Sequence, residues 1–431
     1  MRIVTTFAHF MKVYKFGGAS IADAGRMAAL LPIISEEKES LLIVISAMGK
    51  TTNALERIVQ CEVNKEYTEA DKLASELKQQ HLAYAETLLN ADNYAKTKAA
   101  LEVLFVGFDK AIKKADNKRF DYSYDQIVCM GELFSSCLLY GYLSQNNLST
   151  TWVDIRKVLI TDDTYRDAVI DWNRSALQAE ATIGRELKKK KIVVTQGFIG
   201  ATTAGDSVTL GREGSDYTAA VLAAMLHMDS VTIWKDVDGF RNADPKLFPG
   251  TVKIDTISYA EVIEMAFYGA QIIHPKTIKP LHNNNIPLYV KCFLDKNLTG
   301  SVIKAGAGDV HYPPMIVLKD KQVLVQVTTR DFSFITEDNL SSLYSIFNDL
   351  KVKINLIQNA AISFVACIDN REDKVIPLIK ALSKDYKVTI NDQVSLLTVR
   401  HFTREIVEEL TKGHTLLLRQ ETRKTLQVVM K

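Results

Sequence analysis

KVYKFGGASIADAGRMAALLPII, residues 12–34, sets the architecture. Residues 12–16 have a short strand pattern, Gly17-Gly18-Ala19-Ser20 breaks it, and 22–34 is compatible with a helix. The order is strand, glycine turn, helix. Leu41-Leu42-Ile43-Val44-Ile45 is apolar at every position, as a strand buried on both faces of a parallel sheet must be, and a small polar loop, 46–52, follows it. Residues 56–118 have helical periodicity and few breakers, which predicts two or three helices forming a lid or side layer. A helix near 126–146 and strands near 151–154, 191–195 and 231–234 resume the alternation. The expected class is therefore α/β, a mainly parallel sheet sandwiched by helices.

Beyond Pro313-Pro314 the pattern changes to strand 322–329, helix 339–350, strands 354–359 and 362–369, helix 374–384 and strand 387–391, a small α+β unit of order βαββαβ. A second copy, with strand 394–400, helix 403–412 and strands 415–420 and 425–430, ends one helix and one strand short. Helix 276–284 and strand 286–293 supply the missing pieces if the first copy is nested inside the second. The expected domains are 12–275, then 313–391 as the first small unit, with 276–312 and 392–431 together as the second. Strand 362–366, were it to lie at a sheet edge, would invite packing against a second chain.

Composition narrows the function. Of the 431 residues 47% are hydrophobic and 24% charged, and 53 Lys plus Arg against 51 Asp plus Glu leave a formal charge of +2. No bulk field draws such a chain to nucleic acid or anionic lipid, so an anionic ligand needs a local site. No stretch approaches the ~18 apolar residues of a membrane span. Cys61, Cys129, Cys137, Cys292 and Cys367 are odd in number and lack C-x-x-C spacing, which argues against a zinc site or a disulfide framework and for a reducing cytoplasm. The opening MRIVTTFAHF has one Arg and no long apolar run, a poor secretory signal. With Met11 just before the first strand, it reads as an extension or a misassigned start.

Lys15-Phe16-Gly17-Gly18 sets a cation beside two residues without side chains at a strand end, where amide donors approach phosphate oxygens while the ammonium neutralises charge. Neither G-x-x-x-x-G-K-[ST] nor G-x-G-x-x-G is present, which argues against a P-loop or Rossmann site. TLGREGSDYT, 209–218, places a guanidinium, a hydroxyl and a carboxylate around paired glycines before an Ala-rich helix. A glycine turn with a solvated Arg and two helix caps is the plainer explanation, and the convergence of three ligand types speaks against it. Gln196-Gly197-Phe198-Ile199-Gly200 and Trp234-Lys235-Asp236-Val237-Asp238-Gly239 also follow strands, although Asp238-Gly239 alone is an ordinary turn pair. His274-Pro275 looks metal-like, but eight His without ligand spacing favour a structural role.

Together these segments resemble one family, the aspartokinases, within the amino acid kinase superfamily. Its motifs run in order over 12–303: KFGGAS, VISAMGKTTNAL, GELFSS, TQGFIG, TLGREGSDYTAA, IWKDVDGF with ADPK, and YGAQIIHPKT. The small units resemble paired ACT domains. The resemblance implies an aspartate kinase that phosphorylates the β-carboxylate of L-aspartate with ATP and Mg²⁺, the entry step to lysine, threonine and methionine. The alternatives are another amino acid kinase, such as a glutamate kinase, and a non-catalytic amino-acid sensor. By resemblance Lys15 contacts the transferred phosphoryl group, Asp216 holds Lys15 in place, and Gly17, Gly18 and Gly211 bind phosphate. Ser46, Thr52, Glu132, Phe198, Arg212 and Ser215 match the aspartate site, with Arg212 suited to a substrate carboxylate and Glu132 to the α-ammonium. Lys235, Asp236, Arg241, Lys246 and Gln271 fall in the nucleotide-contacting stretches. No metal ligand is named, since Mg²⁺ would bridge the phosphates and keep several waters.

The chain also departs from the family. Glu213 stands where glycine is usual, and is expected to point outward; Ala19 replaces a common threonine, and Gln271 a common lysine. Around the effector loop, Asn355 and Asn359-Ala360-Ala361 replace Asp and Thr-Ser-Glu, so lysine or threonine is expected to inhibit weakly or not at all. With nothing after Lys431 to form a homoserine dehydrogenase, a monofunctional enzyme is expected, acting as a homodimer or higher homo-oligomer through the ACT-like units.

Overall fold

The computed structural model describes residues 10–189, 191–270, 273–306 and 311–431, and these fall into two compact units. The expectation for the first ten residues concerns a segment that lies, but for Phe10, outside the described residues. The first unit comprises the chain through Phe240, Asp255–Ile263 and 273–306. Its centre is an eight-stranded sheet of β1 (Met11–Phe16), β2 (Ser40–Ile45), β3 (Thr150–Val153), β4 (Ile192–Gln196), β5 (Ser230–Lys235), β6 (Thr256–Ser258), β7 (Leu288–Cys292) and β8 (Ser301–Lys304). The spatial order is β6-β8-β7-β5-β1-β2-β4-β3, and every pair is parallel except β7 with β8. Helices cover both faces, so β2 is buried at all its residues, which is why its sequence is an unbroken apolar run.

Register does the positioning. Lys15 lies opposite Val44 and Ile233, Phe16 opposite Ile45 and Trp234, and Ile45 opposite Gln196, so the carboxyl ends of β1, β2, β4 and β5 are level. The chain leaves β1 for β2 on one side while β5 pairs on the other, and the loops open at the edge where parallel sheets bind ligands. Backbone bonds tie those loops together: Ser46 N–H donates to Phe16 O (3.2 Å), Gly197 N–H to Ile45 O (2.9 Å) and Gly49 N–H to Gly18 O (3.1 Å).

The expected side layer consists of the helices Thr51–Val63, Tyr67–Leu88 and Ala91–Lys113. The next helical run, Phe120–Gln145, is long and apolar enough to cross a membrane, but 83% of its apolar window is buried in the protein. It is apolar because the side layer packs on one flank and β2, β3 and β4 on the other. Between the layer and this core helix sits His81, fully buried against Phe134 at 5.1 Å. Its Nδ1 faces the Leu77 carbonyl at 2.8 Å, so the neutral ring carries its proton there, and Nε2 has no partner among the described residues. Burial pushes this imidazole down to about 4 from 6.5. An imidazole that resists charging only in the folded state stabilises the fold above pH 6.5, and that stability drains as pH falls from 6.5 towards 4, by about 3 kcal/mol in all. Urea midpoints at pH 7.5 and pH 5 should therefore differ more for the parent than for His81→Leu. Equal shifts would show that His81 does not limit acid stability.

The second unit comprises Arg241–Ile254, 264–270 and 311–431. It holds a six-stranded antiparallel sheet of β9 (Met315–Thr328), β10 (Ile354–Asn359), β11 (Ser363–Asp369), β12 (Lys387–Arg400), β13 (Leu416–Glu421) and β14 (Thr425–Met430), in the order β10-β11-β9-β12-β14-β13. β9 and β12 are each long enough to serve two small units. Gln322–Thr328 pairs with β11 and with the first half of β12, whereas Met315–Lys319 pairs with Leu396–Arg400, and register shifts at Lys319, Gln322 and Leu324 separate the halves. Val325, Leu343, Phe347, Phe364 and Leu378 form one core, and Ile316, Leu397, Val399, Val407 and Val428 another.

Two expectations are corrected here. Strand 286–293 does not complete the second small unit: β7 lies between β5 and β8 in the first unit, and helix Pro275–Asn283 buries Ile278 and Leu281 against helix Gly214–Met225. The boundary at 275–276 therefore falls inside the first unit, and 276–312 does not join 392–431 as one domain. The missing strand is Met315–Lys319, hidden from a sequence reading because it runs unbroken into the first small unit. Likewise β11 is internal, flanked by β10 and β9, and its alternating Phe364, Ala366 and Ile368 face that unit's own core. The sheet's edges are β10 and β13.

Candidate active site

At the end of β1 the chain needs a strand residue whose side chain emerges at the sheet edge, and Lys15 supplies it. Only 8% of Lys15 is exposed, and its Nζ lies 2.5 Å from Asp216 Oδ1. Asp216 sits in the first turn of helix Gly214–Met225, where the helix dipole favours an anion. Beyond Lys15 the chain must pass close beneath the loop after β2. A Cβ on Gly18 would stand 2.7 Å from Ala47 O, a distance no side chain tolerates, so glycine is obligatory there. Gly17 is extended and precedes the short 3-10 turn Gly18–Ile21.

On the opposite wall Glu132 projects from helix Met130–Gln145 and is 3% exposed. Its Oε1 accepts a hydrogen bond from Ala47 N–H at 3.2 Å, and Oε2 has no hydrogen-bond partner among the described residues. Burial pushes this carboxyl up to about 8. Ser135, one turn on, donates to Ser46 O at 2.7 Å and fixes the loop after β2 to the same helix. Thr52 is the second residue of helix Thr51–Val63, which follows that loop.

The third wall is the loop into helix Gly214–Met225. Phe198, at φ 70, is left-handed, which strains a non-glycine residue, and it is held by Leu210 N–H donating to its carbonyl (2.8 Å) and by its own N–H donating to Thr218 Oγ1 (3.0 Å). Gly211 at φ 77 brings the backbone so near Asp167 that a Cβ would lie 2.7 Å from its carboxylate. Arg212 is exposed and lines the cavity; Ser215 is buried in the first helical turn.

These walls enclose a cavity of about 600 Å³, a size suited to small-molecule ligands. Among the sequence-predicted residues Lys15, Gly18, Ser46, Thr52, Glu132, Phe198, Gly211, Arg212, Ser215, Asp216 and Lys235 line it. Gly17 adjoins it, a Cβ there lying 3.5 Å from Lys15 Nζ. The nucleotide set is not brought together in the same way. Asp236 is exposed in the turn after β5 and does not line the cavity, Arg241 and Lys246 belong to the second unit, and Gln271 lies outside the described residues. In that unit Arg241 donates to Thr251 O at 2.8 Å, and Lys246 is an exposed residue of a turn capped by Asp244.

Sequence reading missed Arg166, Tyr124 and Glu56, which also line the cavity. Arg166 is left-handed at φ 70, its guanidinium lies 4.5 Å from the Tyr124 ring centre, and its N–H donates to Asp125 Oδ2 at 2.9 Å. Burial raises Asp125 to about 6 despite that bond and those from Thr209. The polar run Asp162-Asp163-Thr164-Tyr165-Arg166-Asp167 reads as a loop, and nothing local shows that it borders a site. Glu213, at φ 54, adopts the left-handed conformation glycine favours. Glu213 is among the residues that line the cavity, and its carboxylate accepts a hydrogen bond from His274 N–H at 2.9 Å. His274 caps helix Pro275–Asn283 through Nδ1, a structural role, and among the described residues no three His, Cys, Asp or Glu side chains converge as a metal site.

Residues 11–292 match the amino acid kinase family. The lysine-sensitive aspartokinase 3 of Escherichia coli K12 is 29% identical over 362 residues, 83% of this chain and 78% of that protein. A chloroplastic bifunctional aspartokinase/homoserine dehydrogenase 2 of Arabidopsis thaliana is 28% identical over 86% of this chain, which spans 41% of that longer protein. Among solved structures, E. coli aspartokinase III in complex with aspartate and ADP has the same fold, with a TM-score of 0.80 and 25% identity, covering 97% of this chain and 96% of that one. With a match over seven of the sheet's eight strands and the motif residues gathered at its carboxyl edge, the chain belongs to the amino acid kinase family, and the members it resembles over most of its length are aspartokinases.

Proposed function

We propose that the chain transfers the γ-phosphoryl group of ATP to the β-carboxylate of L-aspartate, giving 4-phospho-L-aspartate and ADP. The observation that carries this reading is the buried Lys15–Asp216 pair facing Glu132 across a cavity lined by glycine-rich loops. A carboxylate nucleophile with a pKa of about 4 is ionised at neutral pH, so no general base is required, and the difficulty is to bring two anions together. Lys15 neutralises charge on the transferring group, and Asp216 fixes the direction of its ammonium. The amides of Gly17, Gly18 and Gly211, with the N-terminus of helix Gly214–Met225, add donors. Arg212 takes a substrate carboxylate and Glu132 the α-ammonium, while Ser46, Thr52, Phe198 and Ser215 shape the space between. In the transfer a carboxylate oxygen bonds to phosphorus as the bond to the ADP oxygen breaks, and the proton count does not change. Lys235 supports the phosphates from β5, with Asp236 in the turn that follows it. Mg²⁺ bound with the nucleotide would further neutralise the charge brought together in the transfer.

Hydroxylamine trapping of the acyl phosphate, with aspartate or glutamate offered in parallel, tests the reading. Aspartate is expected to turn over faster. Faster turnover with glutamate would assign another amino acid kinase, and no trapped product with either would leave a sensor. The buried cysteines go with a reducing cytoplasm, and the open edges β10 and β13 with a homodimer through the small units.

Regulation by lysine or threonine is expected to be weak. Asn355, a neutral amide where relatives present a carboxylate, is already engaged: Lys319 Nζ donates to its Oδ1 at 2.8 Å, and its Nδ2 donates to Gln322 Oε1 and Asp369 Oδ1, both at 2.8 Å. An arriving ammonium would have to displace one the protein supplies itself, with no charge assistance in return. Activity titrated with each amino acid, singly and together, should stay flat through about 1 mM, since replacing a carboxylate by an amide roughly halves such a bond; submillimolar inhibition would refute this.

A further inference from the structure

The loop 210–213 carries Arg212, and helix Pro275–Asn283 grips it at both ends. At one end Lys276 Nζ donates to Leu210 O at 3.1 Å, pairs with Asp167 Oδ1 at 2.8 Å, and lies 5.0 Å from the centre of the Tyr217 ring. At the other, Glu213 Oε2 accepts from His274 N–H at 2.9 Å, and His274 in turn caps the helix by accepting from Lys276 N–H at 3.2 Å. Gly211 at φ 77 and Glu213 at φ 54 bracket the arginine. A glutamate in a left-handed turn is disfavoured relative to glycine, so its retention calls for an offsetting contact. The His274 amide is one of the first N–H groups of a helix entrance, a donor that otherwise lacks a partner within the helix. The same bond gives the carboxylate of Glu213, a residue that lines the cavity, a donor of its own.

We infer that Glu213 and Lys276 are positioning residues, a two-point clamp that sets the Arg212 loop in the geometry in which its guanidinium meets the substrate carboxylate. The clamp rests on the reading of Arg212 as a substrate ligand. It works by pre-ordering: a loop fixed before binding loses less freedom when the ligand arrives. Its effect therefore falls on the amino acid substrate more than on the nucleotide, which in the proposed site meets this loop through the Gly211 amide alone and takes its other contacts elsewhere.

Steady-state kinetics on the full chain separates these cases. Glu213→Gly suits the backbone and lacks the clamp, Glu213→Gln keeps an acceptor oxygen, Lys276→Met keeps the stem over Tyr217 without the ammonium, and Arg212→Ala is the control. Loss of one hydrogen bond to a charged group should raise the aspartate KM roughly tenfold in Glu213→Gly and in Lys276→Met, with the ATP KM within about twofold of the parent. Glu213→Gln should recover most of the loss, and the double variant Glu213→Gly/Lys276→Met should cost less than the product of the two singles, because a loop released at one end has little order left to lose. An unchanged aspartate KM in Glu213→Gly, beside a raised one in Arg212→Ala, overturns the clamp alone, as would equal increases for aspartate and ATP. An unchanged aspartate KM in Arg212→Ala overturns the reading of Arg212 and the clamp with it.

Discussion

Lys15→Ala is expected to lower kcat by roughly a hundredfold or more, the magnitude of losing one preorganised electrostatic donor in an active site. The ammonium is held where it is needed: 8% exposed, 2.5 Å from Asp216, at the end of a strand buried between two parallel neighbours. Low exposure matters because the same charge in water would be screened and would contribute little. The ion pair is no argument for stability, since desolvating both partners offsets most of their attraction. Its value is directional, and Asp216→Asn should therefore also lower kcat, with the ammonium present but its direction no longer set. Measured single-turnover rates distinguish this from slow product release. A Lys15→Ala protein with near-parental kcat would show that the phosphoryl-binding role has been given to the wrong residue.

Glu132→Ala is expected to raise the aspartate KM by roughly thirtyfold or more, because removing one member of a desolvated charge pair costs about 2 kcal/mol at the least. Arg212→Ala removes a charge of the same formal size but an exposed one, so its effect should be smaller. The pH dependence is the sharper test. With the Glu132 carboxyl pushed up to about 8 by burial, the free site is largely protonated at neutral pH, whereas in the proposed binding mode the substrate ammonium pairs with the carboxylate. A proton must leave as aspartate binds. Below pH 8, each unit of acid should weaken aspartate binding by up to about tenfold, and the dependence should flatten above it. Plotted between pH 6 and pH 8, the aspartate KM of the parent should fall steadily while that of Glu132→Gln stays high and flat. A flat parental profile would show that Glu132 is already ionised in the empty site, or that the ammonium binds elsewhere.

Much of the site was legible because its parts are local. Strand followed by Gly17-Gly18, strand followed by Ser46–Thr52, and TLGREGSDYT opening a helix each declare themselves within a dozen residues, and parallel register alone brings strand ends level. Glu132 was legible only through its motif, for a carboxylate on a helix is usually solvated, and this one is buried because the helix around it is apolar on every side.

What the sequence by itself determined is the class of fold, the order of its elements and most of the residue types that line the candidate site, since these follow from periodicity, glycine turns and motif spacing. Only the tertiary structure decided which distant segments complete each other. Strand 288–292 joins the first sheet, because its alternating buried residues fit beside β5, and Met315–Lys319 takes the place expected for it in the second small unit. Arg166 comes to the cavity over Tyr124, and Glu213 finds an amide at His274, 61 positions away in the chain. A hydrogen bond across that separation leaves no trace in local pattern: strand and helix propensities report on neighbours a few residues apart, and long-range contacts are fixed by how whole layers pack.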